Sequence, residues 1–194
     1  GFGFENNSHP FTPDEATQRV SMDHFGMDVP ITFLLMLMDD DPWHRHCFLE
    51  NFAKNLDSLI LADTSAYGGF RPDGAAWHHG GHYYAYLQYC GAALSDVVYA
   101  LAGTPYAISP EAFERLKTAY LALRFYANGE LSPALGGRHP FRSRFDKLDQ
   151  DSRPFYKLAF SNPGLPAGDV DPELAAAYLR LRGKANGAEA FGLA

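Results

Sequence analysis

The sequence predicts a mostly α-helical fold, of the all-α class, built from stacked helical hairpins. Apolar residues recur at helical spacing in several segments of about 10 to 20 residues. No run of Val, Ile and Thr alternates with polar residues for more than a few positions, so the evidence for strands is thin. The connections are long and rich in glycine, unlike the short connections of a compact four-helix bundle.

The first 28 residues are predicted to form an irregular lead-in. They are rich in Asn, Pro, Asp and Gly and show no sustained period, which leaves room for at most a short helix around Asp14 to Met22. Helical patterns then follow one another to the end of the chain. The sequence therefore predicts a lead-in, 1–28, and one helical domain, 29–194.

Helix starts and ends are marked by local signals in this domain. Asp or Ser before Pro is typical of a helix start, because the side chain caps the first turn and Pro fits there, and Gly or Asn is typical of an end. The segment 70–81, with Pro72 and several glycines, is predicted to be a loop. The predicted helices run from Pro30 to about Met38, Pro42 to about Ala62, about His82 to Ala102, Pro110 to Asn128, and Pro172 to Leu181.

Composition argues against two classes of partner. The chain has 16 basic and 23 acidic residues and a net charge of −7, which does not suit a general nucleic-acid-binding protein. The longest apolar run, Ile31 to Met38, is far shorter than the roughly 20 residues that a membrane span requires, so no membrane partner is expected. Cys47 and Cys90 lie in apolar helical patterns and predict two buried thiols rather than a disulfide framework.

Residues 77–86 combine side chains that a hydrophobic core does not need. They read Trp-His-His-Gly-Gly-His-Tyr-Tyr-Ala-Tyr, with three histidines, four aromatic residues and two glycines. Imidazole and phenol groups transfer protons when their surroundings tune them. Tyr86 follows His79 by seven residues, and a turn at Gly80-Gly81 would fold the imidazole back toward the phenol. This spacing predicts a proton-transfer site.

A second motif, Gly-Gly-Arg-His-Pro at 136–140, begins a basic loop. Paired glycines let the backbone approach a ligand closely, and a guanidinium can hold a carboxylate or sulfate through two hydrogen bonds. A solvated surface run explains the same composition. A phenol becomes a base only when a cation or donor stabilises its phenolate, and His79 and Arg138 are the candidates for that role.

Simpler explanations exist for several of these side chains. The indole of Trp77 can pack against the apolar face of a sugar ring, but a structural role explains this residue equally well. Tyr89, with Phe125 and Tyr126, indicates a helix face packed on a neighbouring element. A metal site from the three histidines is disfavoured, because Gly80-Gly81 interrupts the helix that would align them, so no metal ligands are assigned.

The motifs resemble the catalytic helical domain of chondroitin sulfate ABC lyases, in polysaccharide lyase family 8. The resemblance covers about Gly69 to Phe141 and rests on segments that occur in order. It departs from the family at Gly80, where some relatives have an acidic residue, and at Tyr84-Ala85, which replaces a Pro-Gly turn. The segments are Phe70 to His79, the tyrosines through Tyr86, Leu101 to Tyr106, and Gly136 to Pro140.

The resemblance implies part of an incomplete α/α toroid and a β-elimination. The implied substrate is a uronic-acid-containing glycosaminoglycan, either chondroitin or dermatan sulfate, with hyaluronan a further candidate, and the product is a 4,5-unsaturated uronide. His79 matches the family's catalytic histidine, Tyr86 its tyrosine and Arg138 its arginine. The substrate-binding residues are predicted to be Trp77, His78, His82, Tyr83, His139 and Arg142.

The resemblance also bears on cofactors, partners and location. It implies no organic cofactor, leaves a divalent cation open without a ligand set, and includes an orienting glutamate that has no assigned position here. An acidic polysaccharide is the implied partner, and further domains of the same polypeptide are expected. Gly1 is not a methionine and no signal-peptide pattern follows it, so we expect a chain that is processed or excised from a longer protein. The resemblance implies a secreted or periplasmic location.

Two other functions compete with the lyase interpretation. A glycosidase on a helical toroid needs two carboxyl groups beside the scissile bond, and Asp73 and Glu130 are the acids close to the motifs. A non-catalytic carbohydrate-binding or scaffolding module would use Trp77, the tyrosines and Arg138 only to hold sugar. The lyase is favoured over the glycosidase because histidine, tyrosine and arginine outnumber acids in both motifs.

Overall fold

The computed structural model describes residues 20–62, 68–127, 152–166 and 168–182. Within these ranges the chain is mostly helical, which confirms the predicted class and is consistent with part of an incomplete helical toroid. The helices are α1 (Val29–Leu37), α2 (Pro42–Leu61), α3 (Tyr84–Leu101), α4 (Pro110–Ala127), α5 (Arg153–Ala159) and α6 (Pro172–Leu181). Across the described ranges, no helix combines the length and apolar character needed to cross a membrane.

Three helices begin at the side-chain caps that the sequence predicts. Asp41 accepts hydrogen bonds from the backbone N–H groups of the first turn of α2, at 2.8 and 3.1 Å. Ser109 accepts one at 3.2 Å at the start of α4, and Asp171 accepts two, at 3.1 and 3.2 Å, at the start of α6. Because the first N–H groups of a helix have no partner within it, these oxygens define where each helix starts.

The first helical segment begins earlier than predicted. The backbone is helical from Met22, and a π-helical turn, His24–Asp28, continues directly into α1. We call residues 22–37 the N-terminal segment. Phe25 in its π turn is fully buried, and its ring centroid lies 4.8 Å from that of Phe70. The boundary predicted at residue 28 therefore falls inside one helical segment that tertiary packing extends toward the N-terminus.

A small antiparallel sheet includes part of the segment 70–81, all of which is predicted to be a loop. Its order is β1-β2-β3, and its register pairs Trp77 with both Gly69 and His82. Strands this short carry no detectable alternation of apolar and polar residues, so sequence periodicity could not reveal them. The strands are β1 (Gly68–Phe70), β2 (Ala76–His78) and β3 (Gly81–His82).

The sheet is anchored on α4. Arg115 donates a hydrogen bond from Nη1 to the carbonyl oxygen of Phe70 at 3.1 Å. Gly74, in the turn between β1 and β2, has a φ of +86° and lies so close to α4 that an added Cβ would be 2.9 Å from the carbonyl oxygen of Thr118. Glycine therefore meets both a conformational and a spatial requirement at this turn.

Helix α3 lies at the centre of the described fold. It contacts the N-terminal segment, α4, α5 and β2. Cys90 of this helix is buried, and burial, with the Asp23 carboxylate acting in the same direction, raises the pKa of its thiol to about 12. Cys47 is only partly buried, and both cysteines are free, as predicted. The most completely buried residues of α3 include Leu87, Cys90, Leu94 and Val98.

We expect Gly68→Ala to destabilise the fold. An added Cβ would lie 2.7 Å from the carbonyl oxygen of Trp77 and 2.8 Å from the backbone of Val20 and Ser21. Because these are backbone atoms, no rotamer change relieves the overlap, and the free energy of unfolding should fall by about 1–3 kcal/mol in chemical denaturation. Gly81→Ala is the matched control, since its Cβ would meet the Tyr83 ring at an ordinary 3.5 Å. Equal stabilities of the two variants would contradict this packing.

The surroundings of Asp171 predict that the stability of the fold decreases at acid pH. Its buried carboxylate accepts hydrogen bonds from Lys117 at 2.9 Å and Asn162 at 2.8 Å besides capping α6. Burial alone would raise the pKa of Asp171, but the hydrogen bonds from Lys117, the Leu174 N–H and Asn162 outweigh burial and lower it. A lowered folded-state pKa stabilises the fold above about pH 4, and this contribution is lost as the pH falls through that pKa.

Urea unfolding between pH 7 and pH 3 measures this effect. Asp171→Asn should lower the free energy of unfolding by about 2 kcal/mol at pH 7 and weaken its dependence on pH below 4. Asp169→Asn, an exposed carboxylate close by, should change neither. An unchanged acid dependence in Asp171→Asn would argue against the assigned network.

Candidate active site

His79 and Gly80 form the two-residue turn between β2 and β3. Both have a positive φ, +50° and +73°, and the register pairs His78 with Gly81 on either side of them. A positive φ at both central residues is typical of a type I′ hairpin turn, whose twist suits antiparallel strands. A left-handed backbone at a non-glycine residue costs about 1 kcal/mol or more. The turn presents the exposed His79 side chain at the tip of the hairpin.

Helix α3 follows the hairpin and brings Tyr86 next to His79. The Tyr83 N–H donates to the carbonyl oxygen of Ala76 at 2.9 Å, and the Tyr86 N–H donates to that of Tyr83 at 3.0 Å. The ring centroids of His79 and Tyr86 are 6.0 Å apart, with the ring planes at 89°. An imidazole and a phenol therefore share one surface, as the turn after His79 predicts.

His78 lies beneath these two rings. Its side chain is 1% exposed, and its ring centroid is 3.8 Å from that of Tyr86 and 3.9 Å from that of His79. Its Nε2 atom lies 3.7 Å from Oδ2 of Asp23 in the N-terminal segment. His78 is predicted to bind substrate, but its burial favours support of the neighbouring rings over direct contact with a polymer.

Two further tyrosines surround Tyr86. The ring centroid of the half-buried Tyr83 is 6.0 Å from that of Tyr86, and the centroid of Tyr89 is 6.4 Å away. Tyr89 is 46% exposed and Phe125 is 80% exposed, so the prediction that both pack inside a helix interface is wrong. Both side chains lie on faces of α3 and α4 that point to solvent. The aromatic cluster is His78, His79, Tyr83, Tyr86 and Tyr89.

Trp77 and His82 lie on the opposite face of the sheet from His78. They are register partners, and paired residues point to the same face, whereas successive residues of a strand alternate. The Arg71 guanidinium covers the Trp77 indole, with its central carbon 4.7 Å from the ring centroid. The structure therefore separates Trp77 and His82 from the aromatic cluster, although they are predicted to bind substrate together with His78 and Tyr83.

His82 is held by contacts on its own face of the sheet. Its ring centroid is 4.2 Å from that of Tyr84, whose hydroxyl donates to the carbonyl oxygen of Gly74 at 3.1 Å. Burial lowers the pKa of His82, and the Asp73 carboxylate opposes this effect in part. The imidazole is therefore neutral near pH 7, with one nitrogen that donates and one that accepts a hydrogen bond.

The acids considered for a glycosidase do not form a described pair. Asp73 accepts a hydrogen bond from the Ala75 N–H at 2.9 Å and so stabilises the turn between β1 and β2. Glu130 lies outside the described residues, as do Arg138, His139 and Arg142. The roles predicted for those three basic residues stay predictions. In the described part of the chain, no three His, Cys, Asp or Glu side chains are grouped to hold a metal ion.

Comparison with known proteins identifies the family of the chain. Residues 6–188 match the family described as "Lyase, catalytic". The chain is 36% identical over 152 residues to a chondroitin sulfate ABC exolyase of Proteus vulgaris, covering 77% of this chain and 15% of that protein. It is 31% identical over 151 residues to the endolyase of the same organism, covering 77% of this chain and 14% of that protein.

A third relative comes from another organism. The chain is 31% identical over 165 residues to a chondroitin sulfate ABC exolyase of Bacteroides thetaiotaomicron, covering 84% of this chain and 16% of that protein. The chain thus spans only 14–16% of the length of these relatives, which fits further domains in the full-length protein. The chain belongs to the catalytic lyase family, as its resemblance to chondroitin sulfate ABC lyases predicts.

Proposed function

We propose that the chain is part of a polysaccharide lyase that cleaves a uronic-acid-containing glycosaminoglycan by β-elimination. The observation that carries this proposal is the exposed His79 imidazole beside the Tyr86 phenol, with ring centroids 6.0 Å apart. The names of the relatives favour chondroitin sulfate as the substrate. We propose dermatan sulfate as an equal candidate and hyaluronan as a further one. An extracellular or periplasmic location, where such polymers are met, belongs to the same proposal.

The chemistry requires two proton transfers. A base removes the proton from C5 of the uronate, the C4–O4 bond breaks as the C4–C5 double bond forms, and an acid protonates O4. Negative charge develops on the uronate carboxylate as the C5 proton leaves, so a donor placed there lowers the barrier. General acid and base groups each contribute about 10²–10⁴-fold in rate. The reaction is redox-neutral, and we propose that it needs no organic cofactor.

His79 and Tyr86 are the proposed proton-transfer groups. Tyr86 takes the C5 proton or gives one to O4, and His79 performs the complementary transfer, according to the epimer of the uronate. Tyr86 is partly buried among other rings, an environment in which nearby charges act more strongly than in water. Arg138 is proposed to stabilise the phenolate and hold an anionic group of the substrate.

Substrate binding is proposed to involve both faces of the hairpin. Tyr83 lies beside Tyr86 and presents an aromatic face to a sugar ring. Trp77 is covered by Arg71, so this pair would offer a sugar one indole edge and one positive charge. His82 would act as a neutral hydrogen-bonding group, while His139 and Arg142 add charge for a polyanion.

An absorbance assay on the full-length protein tests the proposed function. Chondroitin sulfate, dermatan sulfate and hyaluronan are the substrates, and the 4,5-unsaturated uronide should give new ultraviolet absorbance. Mass spectrometry distinguishes this product from a hydrolysis product, which is heavier by one water. Hydrolysis without new absorbance would indicate a glycosidase, and binding without cleavage would indicate a carbohydrate-binding module. Either result would contradict the lyase.

A further inference from the structure

We infer that His78 and Asp23 form a positioning pair that sets the orientation of the Tyr86 phenol. The kinetic part of this inference rests on the proposed function, and it extends that function to two residues that do not touch the substrate. Neither residue belongs to the proton-transfer groups. His78 is 1% exposed, and Asp23 lies on the N-terminal segment, far from the hairpin in sequence.

The contact between His78 and Tyr86 restricts the phenol. The ring centroids are 3.8 Å apart and the planes are inclined by 35°, so the two rings are in direct contact. The Tyr86 ring therefore cannot turn toward the sheet without displacing the imidazole. The His79 ring, whose centroid lies 3.9 Å from that of His78, packs against the same imidazole. The buried His78 imidazole thus limits how far the side chains of both proposed proton-transfer groups can move toward the sheet.

On the inner face of the sheet, neither cross-strand partner of His78 has a side chain. The register pairs His78 with Gly68 on one side and with Gly81 on the other. Cross-strand partners share a face, and neither glycine has a side chain to fill it. The described neighbours of the imidazole therefore come from other elements: Tyr86 of α3, His79 of the turn and Asp23 of the N-terminal segment.

Asp23 supplies the direction that ring packing alone does not. The torsion that rotates an imidazole about its bond to Cβ is broad, so contact with a ring face leaves the nitrogen positions weakly defined. The Asp23 carboxylate lies 3.7 Å from Nε2 and favours the orientation in which this nitrogen faces the N-terminal segment. At this distance the influence of the carboxylate is electrostatic and does not depend on a direct hydrogen bond.

The N-terminal segment, which carries Asp23, packs tightly against the rest of the described fold. Phe25 is fully buried. A Cβ on Gly26 would lie only 2.8 Å from Sγ and 3.1 Å from Cα of Cys90 on α3, so the segment and α3 pack closely here. The same helix carries Tyr86. Asp23 and Tyr86 are therefore set by two helices in direct contact, with His78 between them.

Kinetics of full-length variants test the pair. We expect His78→Leu to lower kcat by about 10–100-fold and Asp23→Asn by about 5–10-fold, with KM within about 2-fold, because small misplacements of a reacting group slow the chemical step. His78→Phe should recover part of the loss, since it keeps a ring but not the nitrogens. Asp28→Asn is the matched control, as its carboxylate lies 3.8 Å from the His24 imidazole on the same segment.

The outcomes separate three roles. A raised KM with unchanged kcat in His78→Leu would indicate a direct substrate contact and overturn the inference. An unchanged kcat would reduce His78 to a packing residue and also overturn it. Asp23 is 40% exposed, so Asp23→Asn should stay folded even where His78→Leu does not. A kcat in Asp23→Asn equal to that in Asp28→Asn would remove Asp23 from the pair.

A spectroscopic readout decides the inference without enzymatic activity. The protein is labelled with fluorotyrosine, and the Tyr86 resonance is assigned by its loss in Tyr86→Phe. We expect this resonance to shift in His78→Leu and Asp23→Asn and to stay in place in Asp28→Asn. A wild-type protein that forms no unsaturated product would refute the proposed function alone. If the Tyr86 resonance shifted in neither His78→Leu nor Asp23→Asn, the positioning pair alone would be refuted.

Discussion

Replacing Tyr86 with Phe is expected to lower kcat for glycosaminoglycan cleavage by about 10³-fold, within the 10²–10⁴-fold range of a proton-transfer group. The substitution removes one hydroxyl and keeps the ring that contacts His78, His79 and Tyr83. The fold and the binding surface should therefore persist. Turnover is measured from the ultraviolet absorbance of the product of the full-length protein, and binding from titration calorimetry.

Tyr99→Phe is the matched control for this variant. Tyr99 lies near the other end of α3 and is 44% exposed, so loss of its hydroxyl should leave turnover unchanged. Wild-type turnover in Tyr86→Phe would exclude the phenol from proton transfer. An equal loss of affinity and turnover would instead assign Tyr86 to substrate binding, as expected for a carbohydrate-binding module.

The second large effect is expected for His79→Asn. Asn is one of the few residues that adopt a left-handed backbone readily, so the φ of +50° at the hairpin tip can be kept while the imidazole is lost. We expect kcat to fall by about 10²–10⁴-fold. Because the His79 side chain is exposed, the melting temperature should change little. Turnover and thermal unfolding of the same preparations provide the measurement.

Two companion variants isolate the imidazole from the backbone. His79→Gly should lose as much turnover as His79→Asn while relieving the left-handed strain, so it should be at least as stable. His44→Asn removes an exposed imidazole at the start of α2 and should retain full activity. If His79→Asn and His44→Asn turned over substrate equally fast, the proton transfers assigned to His79 would be refuted.

The helices were largely predictable because their starts depend on local chemistry. Asp41, Ser109 and Asp171 each cap a helix within a residue or two of the predicted position. The helix α5 was missed, since seven residues are too few for a periodic pattern to stand out. The early start at Met22 was missed because it depends on the burial of Phe25, a tertiary effect that no local signal carries.

The candidate site was predictable where spacing brings residues together, and unpredictable where the sheet does. The interval from His79 to Tyr86 crosses one turn, so their proximity follows from the sequence. The opposite positions of Trp77 and His78 depend on strand alternation in a sheet that periodicity did not reveal. Asp23 lies so far from His78 along the chain that only the folded N-terminal segment brings the two together.

The pairing of β2 with its two neighbours also constrains how this region can evolve. Adjacent residues of a strand face opposite ways, so a single insertion or deletion in the bends at 71–75 or 79–80 would shift the strand by one place. The indole of Trp77 would then arrive under the phenol, and the imidazole of His78 would turn outward. Substitutions in these bends can have small or large effects on the site. A change of length by one residue, in contrast, would exchange the side chains on the two faces of β2.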